Sequence, residues 1–130
     1  MKKLFFIAMV LMVALVSASC SKSSDNEPTK DEYYVKYEAK NNTKHIGDVS
    51  DVIVKTHEGT QTLISNRTFS ETYGPVNLGF AASITCSSRV SDATAISVSI
   101  YVSKNGGPFA LRANATGAKT ATVSYTIDFW

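Results

Sequence analysis

Apolar and polar residues alternate with a period of two through most of residues 32–130, while the spacings of three and four that mark an amphipathic helix are scarce. This pattern predicts strands almost throughout and an all-β domain. Tyr33, Val35, Tyr37 and Ala39 alternate with Tyr34, Lys36 and Glu38, so the first strand is expected to have one buried face and one charged, wet face. Asn41, Asn42 and Gly47 interrupt it. A second strand is expected over residues 49–57, with Val52, Val54 and Thr56 on one side and Ile53 and Lys55 on the other. Glu58 and Gly59 read as a hairpin turn, the glycine supplying the positive φ such a turn requires. A third strand follows over residues 60–65 and a fourth over residues 68–73, ended by Gly74 and Pro75.

The clearest alternation comes next. Leu78, Phe80, Ala82, Ile84 and Cys86 face one way, and Gly79, Ala81, Ser83 and Thr85 the other. After a polar loop with Arg89, Ser91 and Asp92, the residues Ile96, Val98, Ile100 and Val102 alternate with Ser97, Ser99 and Tyr101, and the two strands are expected to pair antiparallel. Lys104, Asn105, Gly106 and Gly107 form a tight turn into Phe109, Leu111 and Ala113. The last strand alternates Ala121, Val123, Tyr125, Ile127 and Phe129 with Thr120, Thr122, Ser124, Thr126 and Asp128. Seven or eight strands of this kind suit an antiparallel two-sheet β-sandwich of immunoglobulin-like or Greek-key type, with a small β-barrel as the runner-up. Residues 76–103 carry only Arg89 and Asp92 as charges, and edge strands are commonly protected by charge. The strands near residues 80, 100 and 125 are therefore expected at the centre.

The first 31 residues break the pattern. Lys2 and Lys3 precede an unbroken apolar run over residues 4–16, followed by the small residues Ser17, Ala18 and Ser19 and then Cys20. The run is 13 residues long, short of the roughly 18 that a membrane-spanning helix needs, so it reads as the core of a secretory signal. Val16-Ser17-Ala18-Ser19-Cys20 resembles the bacterial lipobox, with Ser17 where leucine is usual. The resemblance implies cleavage before Cys20 and a lipid on its sulfur. Residues 1–19 are thus the expected lipoprotein signal, residues 20–31 a lipidated cysteine and flexible polar tether, and residues 32–130 the domain. Ser21 is not the aspartate that retains proteobacterial lipoproteins in the inner membrane, so the resemblance favours the outer membrane and leaves open its periplasmic or surface side.

The Tyr33-Tyr34-Val35-Lys36-Tyr37-Glu38 segment, the strand over residues 79–86 and the hairpin over residues 96–107 resemble the small envelope lipoproteins of gut Bacteroidetes. These are similar in turn to the extracytoplasmic β-sandwich of the mycobacterial MmpS proteins, which accompany lipid-exporting transporters. MmpS proteins carry an uncleaved membrane helix where this chain has a lipobox. The likeness implies a β-sandwich fold and no catalytic residues.

Composition narrows the chemistry further. Without its signal the chain keeps 111 of its 130 residues, enough for one domain with its own core, and its 11 basic side chains balance 11 acidic ones. A neutral surface does not favour nucleic acid as a partner. With Cys20 lipidated, Cys86 is the remaining thiol, placed on an apolar face and expected to be buried and inert. The two histidines, His45 and His57, sit beside turns, no G-x-S-x-G elbow is present, and their spacing to Asp48, Asp51 and Glu58 matches no metal signature. No catalytic residue, metal or cofactor is expected.

Tyr34, Tyr101 and Trp130 are the candidate ligand-binding residues, because outward aromatic rings stack on sugar faces or anchor protein contacts. Ser97 and Ser99, with Thr120, Thr122, Ser124 and Thr126, are expected to make a nearly uncharged flat face. The expected function is that of a non-enzymatic outer-membrane lipoprotein, a β-sandwich binding or accessory module held to the membrane by Cys20. A surface glycan-binding module and an immunity or transporter-accessory protein acting by protein contact are the alternatives, with an envelope protein or a glycan as partner.

Overall fold

A strand with one apolar face is stable only when a second layer covers that face, and here eight strands cover one another as two sheets. The computed structural model describes residues 29–44, 47–90 and 95–129. The signal segment, Cys20, most of the tether, His45, Asp92 and Trp130 lie outside the described residues. The strands are β1 (Tyr33–Asn41), β2 (Ser50–Thr56), β3 (Gly59–Ser65), β4 (Thr68–Val76), β5 (Ala81–Ser88), β6 (Ile96–Lys104), β7 (Ala110–Gly117) and β8 (Thr120–Thr126). One sheet has the order β4-β1-β6-β7 and the other β3-β2-β5-β8, and every pairing is antiparallel. Neither sheet closes on itself. The all-β sandwich expected from the alternation is the fold, and the barrel is not.

The core lies between the four inner strands. Val35, Tyr37 and Ala39 of β1 and Ile96, Val98, Ile100 and Val102 of β6 meet Val52 and Val54 of β2 and Ala82, Ile84 and Cys86 of β5, all of them buried. Tyr37 is the largest fully buried side chain. Its hydroxyl donates to the Lys55 carbonyl in the opposite sheet at 2.5 Å, and its ring tilts at 53° against Tyr73. Burial pushes the Tyr37 hydroxyl far above the ordinary tyrosine range, so it stays a donor at any physiological pH.

The two sheets are linked at both lateral edges by chain that steps from one layer to the other. Asn66 and Arg67 lead from β3 to β4, and Ala118 and Lys119 from β7 to β8. The second step is so tight that a Cβ at Gly117 would lie against the Thr120 carbonyl, which excludes any larger residue.

Four expectations about the strands are corrected. First, β5 and β6 do not pair, since β5 bonds to β2 and β8 while β6 bonds to β1 and β7. Each has one strongly apolar face, and that face is buried between the layers whether the strands stand side by side or opposite one another. Their connection is longer than the short turns that enforce a hairpin. Second, β8 is an edge strand and β1 an inner one. The charges of β1 project outward while its alternate residues are buried, so charge marks its wet face and not a sheet edge. Third, Leu78 is 40% exposed. It belongs to a turn in which the Gly79 amide donates to the Ile127 carbonyl at 2.7 Å, and β5 begins only at Ala81. Fourth, pairing in β4 carries on past Gly74 and Pro75 to Val76.

A buried polar knot sits where β1 ends. Asn41 Nδ2 donates to Asp48 Oδ2 at 2.7 Å and to Ser50 Oγ at 2.9 Å, Asn41 Oδ1 accepts from the Thr43 amide, and Ser88 Oγ donates to the same Asp48 oxygen at 3.0 Å. One side chain thus ties β1 to β2, while Asp48 reaches on to β5. Asp48 Oδ1 is buried without a hydrogen-bond partner among the described residues. Asn41→Ala removes one of the two donors to Asp48 Oδ2 and the donor to Ser50 Oγ, and losing buried hydrogen bonds of this kind costs roughly 1–3 kcal/mol. Denaturant unfolding of the variant is expected to show a loss in that range with an unchanged m-value. Cys86, free and buried, has its thiol pushed up by desolvation. A maleimide is expected to leave it unlabelled in native protein and to modify it at once in denaturant.

Candidate functional site

Because the odd residues of β1 fill the core, its even residues form the middle of the outer surface of the β4-β1-β6-β7 sheet. Pairing sets them in rows across the strands. Thr72, Lys36, Tyr101 and Leu111 make one row, Ser70, Glu38, Ser99 and Asn114 the next, and Thr68, Lys40, Ser97 and Thr116 the third. This face combines aromatic rings, paired charges and a series of hydroxyls.

Its aromatic part is a platform built on Lys36. The ammonium lies 4.6 Å from the centroid of the Tyr101 ring and 5.1 Å from that of Phe109, and it bonds to Glu38 Oε1 at 3.2 Å. A cation against two ring faces holds both rings to the surface of the sheet. Phe109 remains 39% exposed and Leu111 51%. Leu111 faces outward because the β6–β7 register shifts between Ile100 and Tyr101, which absorbs Arg112 and lets Ala113 turn inward opposite Ile100. Tyr34 extends the platform along β1. Its ring packs against Gly74, where a Cβ would come within 2.8 Å of the ring and 2.9 Å of the Tyr33 carbonyl, and its hydroxyl donates to Glu32 Oε2 at 3.3 Å.

The polar part is a groove of about 280 Å³ on the far side of the Lys36–Glu38 pair, lined by Glu38, Lys40, Thr68, Ser70, Ser97 and Ser99. A ligand spanning platform and groove would meet apolar ring surface at one end and hydroxyls with a carboxylate and an ammonium at the other.

The chain enters β1 through a clamp at the platform end. Asn105 Nδ2 donates to Asp31 Oδ1 at 2.8 Å, Lys104 Nζ lies 2.9 Å from Asp31 Oδ2, the Glu32 amide donates to Asn105 Oδ1 at 2.9 Å, and the Asn105 amide returns a bond to the Glu32 carbonyl at 2.8 Å. Asn105 holds φ at 52° to make both sides of this exchange, a conformation asparagine tolerates better than most residues. The Asn105 hydrogen bond, reinforced by Lys104, keeps the Asp31 carboxyl below the usual carboxylate range.

Of the three aromatic residues singled out in the sequence, Tyr34 and Tyr101 share this outer face, and Trp130 lies outside the described residues. Lys36, Glu38, Phe109 and Leu111, which complete the platform, carry no motif. For Lys36 and Glu38 the one signal is the outward phase of β1, whereas Phe109 precedes β7 and the bulge hides the phase of Leu111. The expected single Ser/Thr face divides in two. Ser97 and Ser99 lie on the platform side, whereas Thr120, Thr122, Ser124 and Thr126 belong to β8 in the other sheet. There Thr85 bonds to Thr122 at 3.0 Å and Thr120 to Ser87 at 3.2 Å, so the hydroxyls of Thr120 and Thr122 are engaged with β5. Arg89 forks onto Asp51 on the same side, at 2.6 Å for the closest contact. His57 stands in the exposed turn after β2, 3.8 Å from Glu58. Among the described residues no three His, Cys, Asp or Glu side chains gather as metal ligands.

No protein-family model matches the chain, and no curated protein is significantly similar to it.

The clamp is expected to depend on pH with a definite sign. The Asp31 value is depressed in the folded chain, so its contribution is fully present above the ordinary carboxylate range and is lost as pH falls through the depressed value. An NMR titration should show the Asn105 side-chain amide holding its shift until Asp31 protonates. Asp31→Ala should speed hydrogen exchange at the Glu32 amide at neutral pH while leaving the amides of β2 and β5 unchanged.

Proposed function

We propose that this chain is a non-enzymatic binding module of the bacterial envelope, lipidated at Cys20 and held in the outer membrane, and that its ligand is a carbohydrate seated on the outer face of the β4-β1-β6-β7 sheet. The observation that carries the reading is the Lys36–Tyr101–Phe109 platform beside the hydroxyl-lined groove. A sugar ring has an apolar face of C–H groups and a rim of hydroxyls. The first suits the exposed surface of Phe109, Leu111 and Tyr34, and the second suits Glu38, Lys36, Ser99 and Ser70. Rings already fixed by packing and by a cation lose little freedom when a ligand arrives, which favours binding even on an open surface.

The opposite sheet lacks this combination. Four of its outer hydroxyls bond in pairs between β5 and β8, and its apolar exposures, Ile53 and Ile64, are aliphatic. A protein partner is the second reading, favoured by the same exposed Phe109 and Leu111, since aromatic anchors also centre protein interfaces. The lipid anchor rests on the lipobox resemblance, and processing to an acylated N-terminal cysteine is checked by mass spectrometry of the mature protein.

Binding is tested by titrating the mature protein with bacterial envelope oligosaccharides and following tyrosine ring resonances by NMR. Tyr101→Ala and Phe109→Ala are each expected to weaken binding by roughly fivefold to a hundredfold, a loss of about 1–3 kcal/mol for a ring stacked on an aromatic side chain. Thr122→Ala on the other sheet is expected to change nothing. If no oligosaccharide shifts the rings of Tyr34 and Tyr101, the carbohydrate reading fails.

A further inference from the structure

The platform lies at the end of the domain where Asp31 and Glu32 lead into β1. From the clamped residues Asp31 and Glu32, β1 runs directly beneath Tyr34 and Lys36, and Tyr34 bonds back to Glu32 itself. Lys36 lies two residues further along the same strand, a step of about 7 Å. Asn105, which holds the incoming chain, begins the turn that delivers Phe109 to the platform. The tether exit and the platform are therefore fixed to each other by one short piece of strand and one turn, with no hinge between them.

The length of chain between Cys20 and Asp31 matters for what can reach that platform. Its 11 residues span about 35–40 Å when fully extended, and a flexible coil of that length averages roughly 18 Å. With Cys20 acylated, that length of chain keeps Asp31 within about 35–40 Å of the anchored surface. The site itself is open and shallow, the kind that holds a free sugar only weakly. A ligand confined to the same surface as the anchor would be presented at an effective concentration in the millimolar range, which offsets a weak intrinsic affinity.

We infer that the platform recognises the saccharide headgroup of a glycolipid in the same membrane leaflet that holds the Cys20 anchor. The inference rests on the carbohydrate reading of the platform and on lipidation of Cys20, and it adds where the sugar comes from. Anchor and headgroup act as two linked contacts. The acyl chains hold the domain at the surface, and the platform closes the second contact without leaving it. Glu38 and Lys40 offer hydrogen-bond partners of both signs along the groove, which suits a headgroup bearing hydroxyls together with phosphate or amino groups.

The test uses the full mature, lipidated protein labelled with fluorotyrosine. It is placed in nanodiscs of phosphatidylethanolamine and phosphatidylglycerol with or without rough lipopolysaccharide, and separately in detergent micelles with the oligosaccharide released from that lipopolysaccharide. In glycolipid discs the Tyr34 and Tyr101 fluorine resonances should shift to saturation. In micelles the free oligosaccharide should produce the same shift only at a concentration roughly 10²-fold above the bulk concentration of glycolipid that suffices in the discs. Inserting a flexible Gly/Ser segment of about 40 residues after Ser24 should reduce disc occupancy roughly tenfold, and Phe109→Ala should abolish the shift in both settings. Shifts of equal size in discs without glycolipid would mean contact with phospholipid alone and would overturn the inference. Occupancy indifferent to tether length, or a response to free oligosaccharide without one to glycolipid discs, would overturn it while leaving the carbohydrate reading standing. Silence in both settings would remove the carbohydrate reading itself.

Discussion

A slip of β1 by one residue would turn Tyr33, Val35, Tyr37 and Ala39 to water and drive Tyr34, Lys36, Glu38 and Lys40 into the core. The structure depends on this not happening. β1 bonds to β4 on one side and β6 on the other, so its register decides the registers of both, and with them the sheet that covers β2 and β5. Two devices lock it. At its end Asn41 is tied to Asp48 and Ser50 inside the sandwich, and at its start Asp31 and Glu32 are tied to Lys104 and Asn105 on the surface. Between them Tyr37 reaches across the core to the Lys55 backbone. The core and the candidate site are thus two faces of the same nine residues, and whatever secures one secures the other.

The two locks differ in kind. The Asn41 knot is buried, so each of its bonds replaces solvation that the chain has given up, and breaking it leaves a polar group stranded. The Asp31 clamp is exposed and competes with water, so it adds little to global stability and mainly narrows the directions from which the chain can enter. The first bears on whether the domain folds, and the second on how it is presented.

Much of this was legible in the alternation. The strands, their inward residues and the turns at Glu58-Gly59 and Asn105-Gly106 follow from a period of two and from residues suited to tight turns. What alternation leaves open is which sheet a strand joins. β5 and β6 each have a strong apolar face, and that is equally consistent with standing side by side and with facing one another across the core. Charge proved a poor guide to edges, because in a sandwich an inner strand still shows one face to water, as β1 does with Lys36 and Glu38. Of the platform, Tyr34 and Tyr101 could be found from their outward phase. Phe109 lies beyond the last turn before β7 and Leu111 beside a bulge, so their place could not be read from spacing. Lys36 gains its role only from pairing opposite Tyr101, and pairing is not written in any one strand.

The position of β1 within its sheet also bears on mechanics. A load that reaches the domain through its N-terminal chain arrives at Asp31, and it would meet the clamp before any ladder bond of β1. Past that point the strand cannot be peeled as an edge strand can, one bond at a time from a single neighbour. It is held by β4 and β6 together, so each step would break bonds on both sides at once.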